Sequence, residues 1–121
     1  HRLMWQYRIS TGTLKLDGKF EGSGYSGRDP WRNNPEGKGV VSYGPIPPGK
    51  WRIGRPYKHA TLGPCVMNLD PIAGTETFAR SAFRIHGDNA RHDASHGCII
   101  LGPALRQLIA ASGYTVLEVL P

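Results

Sequence analysis

The residues best suited to chemistry lie close together in the chain. From Phe83 to Leu101 it reads Phe83-Arg84-Ile85-His86-Gly87-Asp88-Asn89-Ala90-Arg91-His92-Asp93-Ala94-Ser95-His96-Gly97-Cys98-Ile99-Ile100-Leu101, which holds three of the five histidines and one of the two cysteines. A cysteine with an imidazole in reach is an acyl-transfer device. The imidazole removes the thiol proton, and the imidazolium then favours the thiolate, lowering its pKa from about 8.5. His86 and Cys98 are the pair assigned to this role. Gly97, with no Cβ, lets a substrate carbonyl approach the backbone, where the N–H groups of Gly97 and Cys98 form an oxyanion hole. The carbonyl of Gly87 is expected to hold His86 in the required tautomer, and His96 to assist at the oxyanion or the substrate.

Two other chemistries use the same residues. His86, His92, His96 and Cys98 are all competent zinc ligands. However, Asp93-Ala94-Ser95 between His92 and His96 carries no helical Glu-bearing motif, and Gly97 breaks any helix there. No metal is therefore assigned. The two cysteines allow a single bridge, but their contexts differ. Cys65, in Pro64-Cys65-Val66-Met67-Asn68-Leu69, reads as a small hydrophobe on a buried strand, whereas Cys98 sits in a polar stretch beside a histidine. The blander alternative leaves these histidines on a surface loop by chance, and His59, on the turn-like Tyr57-Lys58-His59, is read as solvated in that way.

The elements around this segment must bring the thiol to the imidazole. At a period of two, Phe83 and Ile85 enter the core while Arg84 and His86 share the opposite face. A loop then returns to Cys98 at the start of the next strand. Upstream, Trp5, Tyr7 and Ile9 alternate with polar residues, and Leu14 and Leu16 resume after a turn, which predicts a hairpin. Arg28 to Lys38 lacks periodicity and reads as a long surface loop of the kind that serves sites. Strands are expected at Val40 to Tyr43 and Lys50 to Ile53, flanking the rigid Gly44-Pro45-Ile46-Pro47-Pro48-Gly49, and then at Val66 to Leu69, Ala82 to His86, Cys98 to Leu101 and Tyr114 to Leu120. One helix starts at Pro103, places Leu105, Leu108 and Ile109 on one face and ends at Gly113. The fold class is mainly β and antiparallel, with one short α-helix near the C-terminus, in a single domain over residues 4–121. His1 to Leu3 read as a remnant ahead of a native start at Met4.

Composition narrows the partners. Sixteen Gly and ten Pro favour turns over long helices, and 15 Lys and Arg against nine Asp and Glu give a net charge of +6. Such a chain favours anionic or carboxylate-rich partners. Its basic residues are scattered singly, without the cluster that marks a nucleic-acid patch, so nucleic acid is not an expected partner. No apolar run approaches the roughly 20 residues of a membrane span, so no membrane insertion is expected. The opening His1-Arg2-Leu3-Met4 has no apolar signal core.

The residues also resemble a family. His86-Gly87, followed by Cys98 within Ser95-His96-Gly97-Cys98-Ile99, is similar to the active-site signature of L,D-transpeptidases, the cysteine enzymes of bacterial peptidoglycan. The turn Pro45 to Ile53 resembles the Pro-x-Gly-x-aromatic segment that precedes the site in that family. The general family usually carries Arg two residues after the cysteine, where this chain has Ile100. Gly97-Cys98-Ile99-Ile100-Leu101, with Gly24-Tyr25-Ser26-Gly27, Asn33-Asn34-Pro35 and Arg80-Ser81-Ala82-Phe83, looks closer to a small branch of antibacterial effectors delivered by type VI secretion.

That resemblance implies an L,D-transpeptidase-like β-sandwich and a mechanism in which Cys98 attacks the diaminopimelate–D-Ala bond of a tetrapeptide stem and forms a thioester. Water then gives L,D-carboxypeptidase activity, and an amine gives transpeptidation or exchange of D-amino acids. It implies His86 as base, His96 as auxiliary, Gly97 and Cys98 as oxyanion donors, the Gly87 carbonyl as the group orienting His86, and no cofactor. Arg84 and Ser95 are the expected substrate contacts, Arg84 because guanidinium binds carboxylate bidentately. The implied partners are tetrapeptide stems, a cognate immunity protein and a secretion carrier. The implied route runs from the bacterial cytoplasm by secretion to the periplasm of a target cell. A housekeeping wall enzyme and a non-catalytic basic wall-binding module are the alternatives.

Overall fold

The computed structural model describes residues 3–121, so His1 and Arg2 of the segment read as a remnant lie outside the described residues. Strands β1 (Trp5–Arg8), β2 (Thr13–Leu16) and β3 (Lys19–Ser23) form an antiparallel meander that begins with the hairpin expected from the alternation of Trp5 to Leu16. There follow β4 (Tyr25–Ser26), β5 (Gly49–Ile53), β6 (Tyr57–His59), β7 (Gly63–Pro71), β8 (Arg84–His86) and β9 (Ile99–Ile100), then helix α1 (Pro103–Ser112) and β10 (Val116–Leu120).

The hydrogen-bonded path runs β3-β2-β1-β10-β5-β7-β8-β9-β4, with β6 on β7. Its two end strands, β3 and β4, are separated in the chain by Gly24 alone, so the sheet curls until it nearly closes. Gly24 forms the seam. Its N–H donates to the Gly12 carbonyl at 2.8 Å, and a Cβ there would run into the Ile100 carbonyl oxygen and lie 2.8 Å from the Leu101 side chain. The fold is mainly β with one short helix near the C-terminus, as expected. Most pairings are antiparallel, but β1 with β10 and β8 with β9 are parallel. Parallel neighbours need a crossover of about a dozen residues or more, and between β8 and β9 that crossover is the histidine-rich segment itself.

Inside the curl, alternate residues fill the core: Trp5 and Tyr7 from β1, Trp51 and Ile53 from β5, Met67 and Leu69 from β7, and Leu117 and Val119 from β10 are buried. Each large apolar side chain contributes about 1.5–3 kcal/mol on burial. Trp51 meets Phe83 edge-on at 5.0 Å, and its indole N–H donates to the Pro47 carbonyl at 3.1 Å, so the ring is buried without stranding its polar atom.

Helix α1 starts at Pro103 and ends before Gly113. Its inner stripe differs from the expected one. Ile109 is buried, but Leu108 is 42% exposed because Arg106 occupies the inward position. The Arg106 Nε donates to the Leu101 carbonyl at 3.0 Å, and Nη1 donates to the Pro64 carbonyl at 2.6 Å. The strand expected over Val40 to Tyr43 is instead an exposed turn, closed by the Gly44 N–H on the Val40 carbonyl at 2.9 Å. The carbonyls of Lys38, Gly44 and Pro45 around that turn are taken by Arg80, so they cannot serve a strand ladder.

The seam at Gly24 gives a direct test of this closure. Gly24→Ala should lower the unfolding free energy by about 1–3 kcal/mol, as overpacking of a tight site does, measured as a reduced urea midpoint with unchanged slope. An unchanged midpoint would mean that β3 and β4 are not held against β9 in this way.

Candidate active site

The parallel register decides which residues meet. Ile85 lies opposite Ile99 and His86 opposite Ile100, so Cys98, one residue before β9, falls beside Arg84 and on the face it shares with His86. The Leu101 N–H donates to the His86 carbonyl at 3.1 Å and fixes that end of the pair. His86, Arg84, Cys98, His96, Arg80 and Ala82 all line one cleft of about 390 Å³. The cleft shares Arg84 and Ser81 with a pocket of about 270 Å³ that includes Asn68 and Asp70. It shares His86 and His96 with one of about 600 Å³ that includes Arg28 and Asp88. Together they make one groove with the thiol in its middle section.

His86 is 2% exposed. Its Nδ1 lies 2.8 Å from the Gly87 carbonyl, to which it donates, so Nε2 is the nitrogen left to act as base. Arg106 lies behind this turn, and a Cβ on Gly87 would sit 2.9 Å from its Nη2. The Cys98 thiol is buried and its Sγ lies 3.8 Å from the Ala82 carbonyl. His96 is exposed, with Nδ1 donating to the Ser42 carbonyl at 3.2 Å. Arg84 is half-buried. Its Nε donates to the Tyr57 hydroxyl at 3.3 Å, which in turn donates to Asn68 Oδ1 at 2.6 Å, so a short relay fixes the guanidinium at the groove.

Two expected roles change. Ser95, expected to touch substrate, is fully buried. Its hydroxyl donates to the Cys98 carbonyl at 2.6 Å and accepts from the Gly27 and Gly97 N–H groups at 2.8 and 3.2 Å. It organises the loop around Cys98 and has no face left for a substrate. The same bond occupies the Gly97 N–H that was expected to serve the oxyanion. The missing Cβ of Gly97 has another use as well: at a φ of +129°, a Cβ there would lie 2.7 Å from Arg80 Nη2 and 3.0 Å from the Phe83 ring. Gly97 thus makes room for a guanidinium inside the protein.

The crossover is held by residues that spacing alone did not single out. The Tyr25 hydroxyl donates to Asp88 Oδ1 at 2.6 Å and accepts from the Ala94 N–H at 3.0 Å. Burial and then the bond to Asp88 push Tyr25 up to about 12. Asp88 Oδ2 accepts from His92 Nδ1 at 2.7 Å. Burial raises the Asp88 carboxyl, but the bonds from Tyr25, His92 and the Asn89 N–H outweigh it and hold it low. Arg32 stacks on Tyr25 at 3.8 Å and donates to the His92 carbonyl at 3.1 Å. Ser26, also fully buried, accepts from the Ile46 N–H at 2.9 Å and donates to the Gly97 carbonyl at 3.3 Å. The available signals were Gly24-Tyr25-Ser26-Gly27 and an acid next to His86-Gly87.

His92 is bound to Asp88 and does not line the Cys98 cleft. Among the described residues, no three His, Cys, Asp or Glu side chains gather as metal ligands. Cys65 is half-buried instead of buried, and both cysteines are free thiols. His59, read as solvated, lies half-buried on β6 and its Nδ1 accepts from the Thr61 and Leu62 N–H groups, both at 3.0 Å. No helix among the described residues is long and apolar enough to cross a membrane.

Electrostatics set the resting state. Burial pushes the Cys98 thiol up, while Arg84 and Arg80 pull it down. Burial pushes His86 below its ordinary 6.5; Arg106, Arg84 and His59 push the same way, and the bond to Gly87 opposes them. Burial therefore disfavours charge on both thiol and imidazole.

A buried cysteine and a tautomer-locked histidine on one peptide-sized groove have the layout of a cysteine acyl-transfer site. A model of the Tlde1 domain matches residues 21–115, and the chain belongs to this family of L,D-transpeptidase-like type VI secretion effectors. No curated protein matches the chain.

The resting state can be checked by titration. The His86 ring should show an NMR midpoint below 6.5, because the fold favours its neutral form. The unfolded chain takes up that proton more readily, so this group destabilises the fold as pH drops below 6.5. A midpoint at or above 6.5 would mean that burial and the neighbouring arginines do not disfavour the charged ring.

Proposed function

We propose that the protein is a peptidoglycan-modifying cysteine enzyme that cleaves the diaminopimelate–D-Ala bond of tetrapeptide stems. The observation that carries this reading is His86 and Cys98 on one cleft, with His86 Nδ1 bound to Gly87 and Nε2 free to accept the thiol proton. As substrate enters, Cys98 gives its proton to Nε2 and its sulfur bonds to the stem carbonyl. The Cys98 N–H stabilises the oxyanion, and His96 stands at the cleft as the auxiliary residue. The oxyanion collapses, the C–N bond breaks, and the imidazolium returns the proton to the departing D-Ala amine. The thioester then passes its acyl group to water or to the amine of a D-amino acid or second stem, with His86 again as base. Arg84 receives the terminal carboxylate of the stem, held in place by Tyr57 and Asn68.

The family supports delivery by type VI secretion, and on this reading the enzyme acts in the periplasm of a rival cell while an immunity protein protects the producer. The net charge of +6 favours approach to anionic wall polymer.

Mass analysis of purified muropeptides after incubation tests the chemistry. The wild-type protein should convert tetrapeptides to tripeptides, or exchange the fourth residue when a D-amino acid is added. Cys98→Ala should abolish turnover and His86→Ala should reduce it by about 100-fold or more, while His92→Ala and Cys65→Ala stay near wild type. Turnover by Cys98→Ala, or equal loss in His86→Ala and His92→Ala, would overturn the mechanism. Directed to the periplasm of a Gram-negative cell, the wild-type chain should cause swelling or lysis and Cys98→Ala should not. Toxicity confined to the cytoplasm would refute the wall target.

A further inference from the structure

A buried guanidinium lies directly behind the nucleophile loop. Arg80 is 8% exposed. Its Nη1 donates to the carbonyls of Lys38 and Pro45 at 2.7 and 2.8 Å, and its Nη2 to that of Gly44 at 2.8 Å. Its carbon lies 5.1 Å from the centre of the Phe83 ring. Carbonyls satisfy its N–H groups but leave its net charge in place. Buried charges are ordinarily paired, yet among the described residues no Asp or Glu forms an ion pair with Arg80. The neighbour that can carry a negative charge is Cys98. The guanidinium fills the space a Cβ would take at Gly97, the residue just before it, and both side chains line the same cleft.

We propose that Arg80 is a positioning residue: its guanidinium is the buried counter-ion of the Cys98 thiolate and, through the three carbonyls it holds, it couples that thiolate to the placement of the 38–45 turn. This rests on the reading of Cys98 as nucleophile. When the thiol gives up its proton, to His86 or in the free protein to solvent, the charge created is neutralised by a cation already desolvated and fixed, so little reorganisation is needed. The turn matters because Val41 and Ser42 line the cleft and the Ser42 carbonyl holds His96. One side chain thereby sets both the charge behind the sulfur and the wall in front of it.

Of the other groups facing Cys98, Arg84 also favours the thiolate, through its backbone N–H and its charge, and Arg80 is the buried cation of the two. His86 rests neutral, and Tyr25, packed in the same cluster as Cys98 and Ile100, stays protonated. His96 is exposed, and Arg84 is half-exposed and bound to a neutral hydroxyl, so its guanidinium is the more open to solvent. Burial pushes Arg80 down and the Cys98 thiolate pushes it back up, which is the reciprocal sign of the same contact.

The test is the pH dependence of iodoacetamide alkylation of Cys98, in a Cys65→Ala background and without peptidoglycan. In Arg80→Met the profile should move to higher pH by about one unit, giving about tenfold slower alkylation at pH 7. Arg80→Lys keeps the charge and should hold the profile near wild type, although amide exchange at Val40 and Gly44 should accelerate in both variants as the turn loosens. A folded Arg80→Met with an unshifted profile, or an Arg80→Lys shifted as far as Arg80→Met, would overturn the proposal. Should Arg80→Met fail to fold, the Arg80 Nε–H resonance of the otherwise native protein decides. It should move as Cys98 titrates and stay still over that range in Cys98→Ala, and no movement in either would overturn the proposal. Neither readout uses substrate, so an inactive muropeptide assay would refute the enzymatic reading alone, and an unshifted thiol in an active enzyme would refute the role of Arg80 alone.

Discussion

The site depends on the parallel pairing of β8 with β9. Two parallel strands cannot be joined by a tight turn, so the chain must leave β8 after His86, cross over, and re-enter beside its own starting point at Cys98. That register places Cys98 next to Arg84 and on the face it shares with His86. The crossover is long enough to need its own supports, and Tyr25, Ser26 and Arg32 provide them from the segment around β4. β4 in turn pairs with β9 and is joined to β3 through Gly24, so near-closure of the sheet and order in the crossover are one event.

Both motif glycines are explained by arginines. Gly87 leaves room for Arg106 and Gly97 leaves room for Arg80, each reaching across from an element distant in sequence. The two cations act oppositely on the reacting pair. Arg106 disfavours a charged His86, while Arg80 favours a charged Cys98. Burial disfavours charge on both.

The groove extends to either side of the thiol, toward Arg84, Asn68 and Asp70 on one flank and toward His96, Arg28 and Asp88 on the other. An acyl-transfer site needs two such approaches, one for the chain being cut and one for the nucleophile that releases it. Both flanks carry charge of mixed sign, Arg84 with Asp70 on one and Arg28 with Asp88 on the other.

Period-two alternation in Trp5 to Leu16 and in Phe83 to His86 already marked strands and their inner faces, because one face of a curled sheet must be apolar. Pro103 and Gly113 likewise bounded the helix through local backbone preference. The types and spacing of His86, Gly87, His96, Gly97 and Cys98 were enough to nominate a cysteine site, since a thiol and an imidazole at strand ends have few other uses. The sequence was silent where a side chain spends its hydrogen bonds on distant backbone. Val40 to Tyr43 has the composition of a strand, but Arg80 binds the carbonyls on either side of it and it becomes a turn. Leu108 fits the helical stripe, but Arg106 reaches Leu101 and Pro64 and takes its place. Ser95 has the chemistry of a substrate contact, but Gly27, Gly97 and Cys98 consume its hydroxyl. How far burial disfavours charge on the pair was also a tertiary decision, because desolvation depends on how deeply the sheet closes over Cys98 and His86, and residue type and spacing carry no record of that depth.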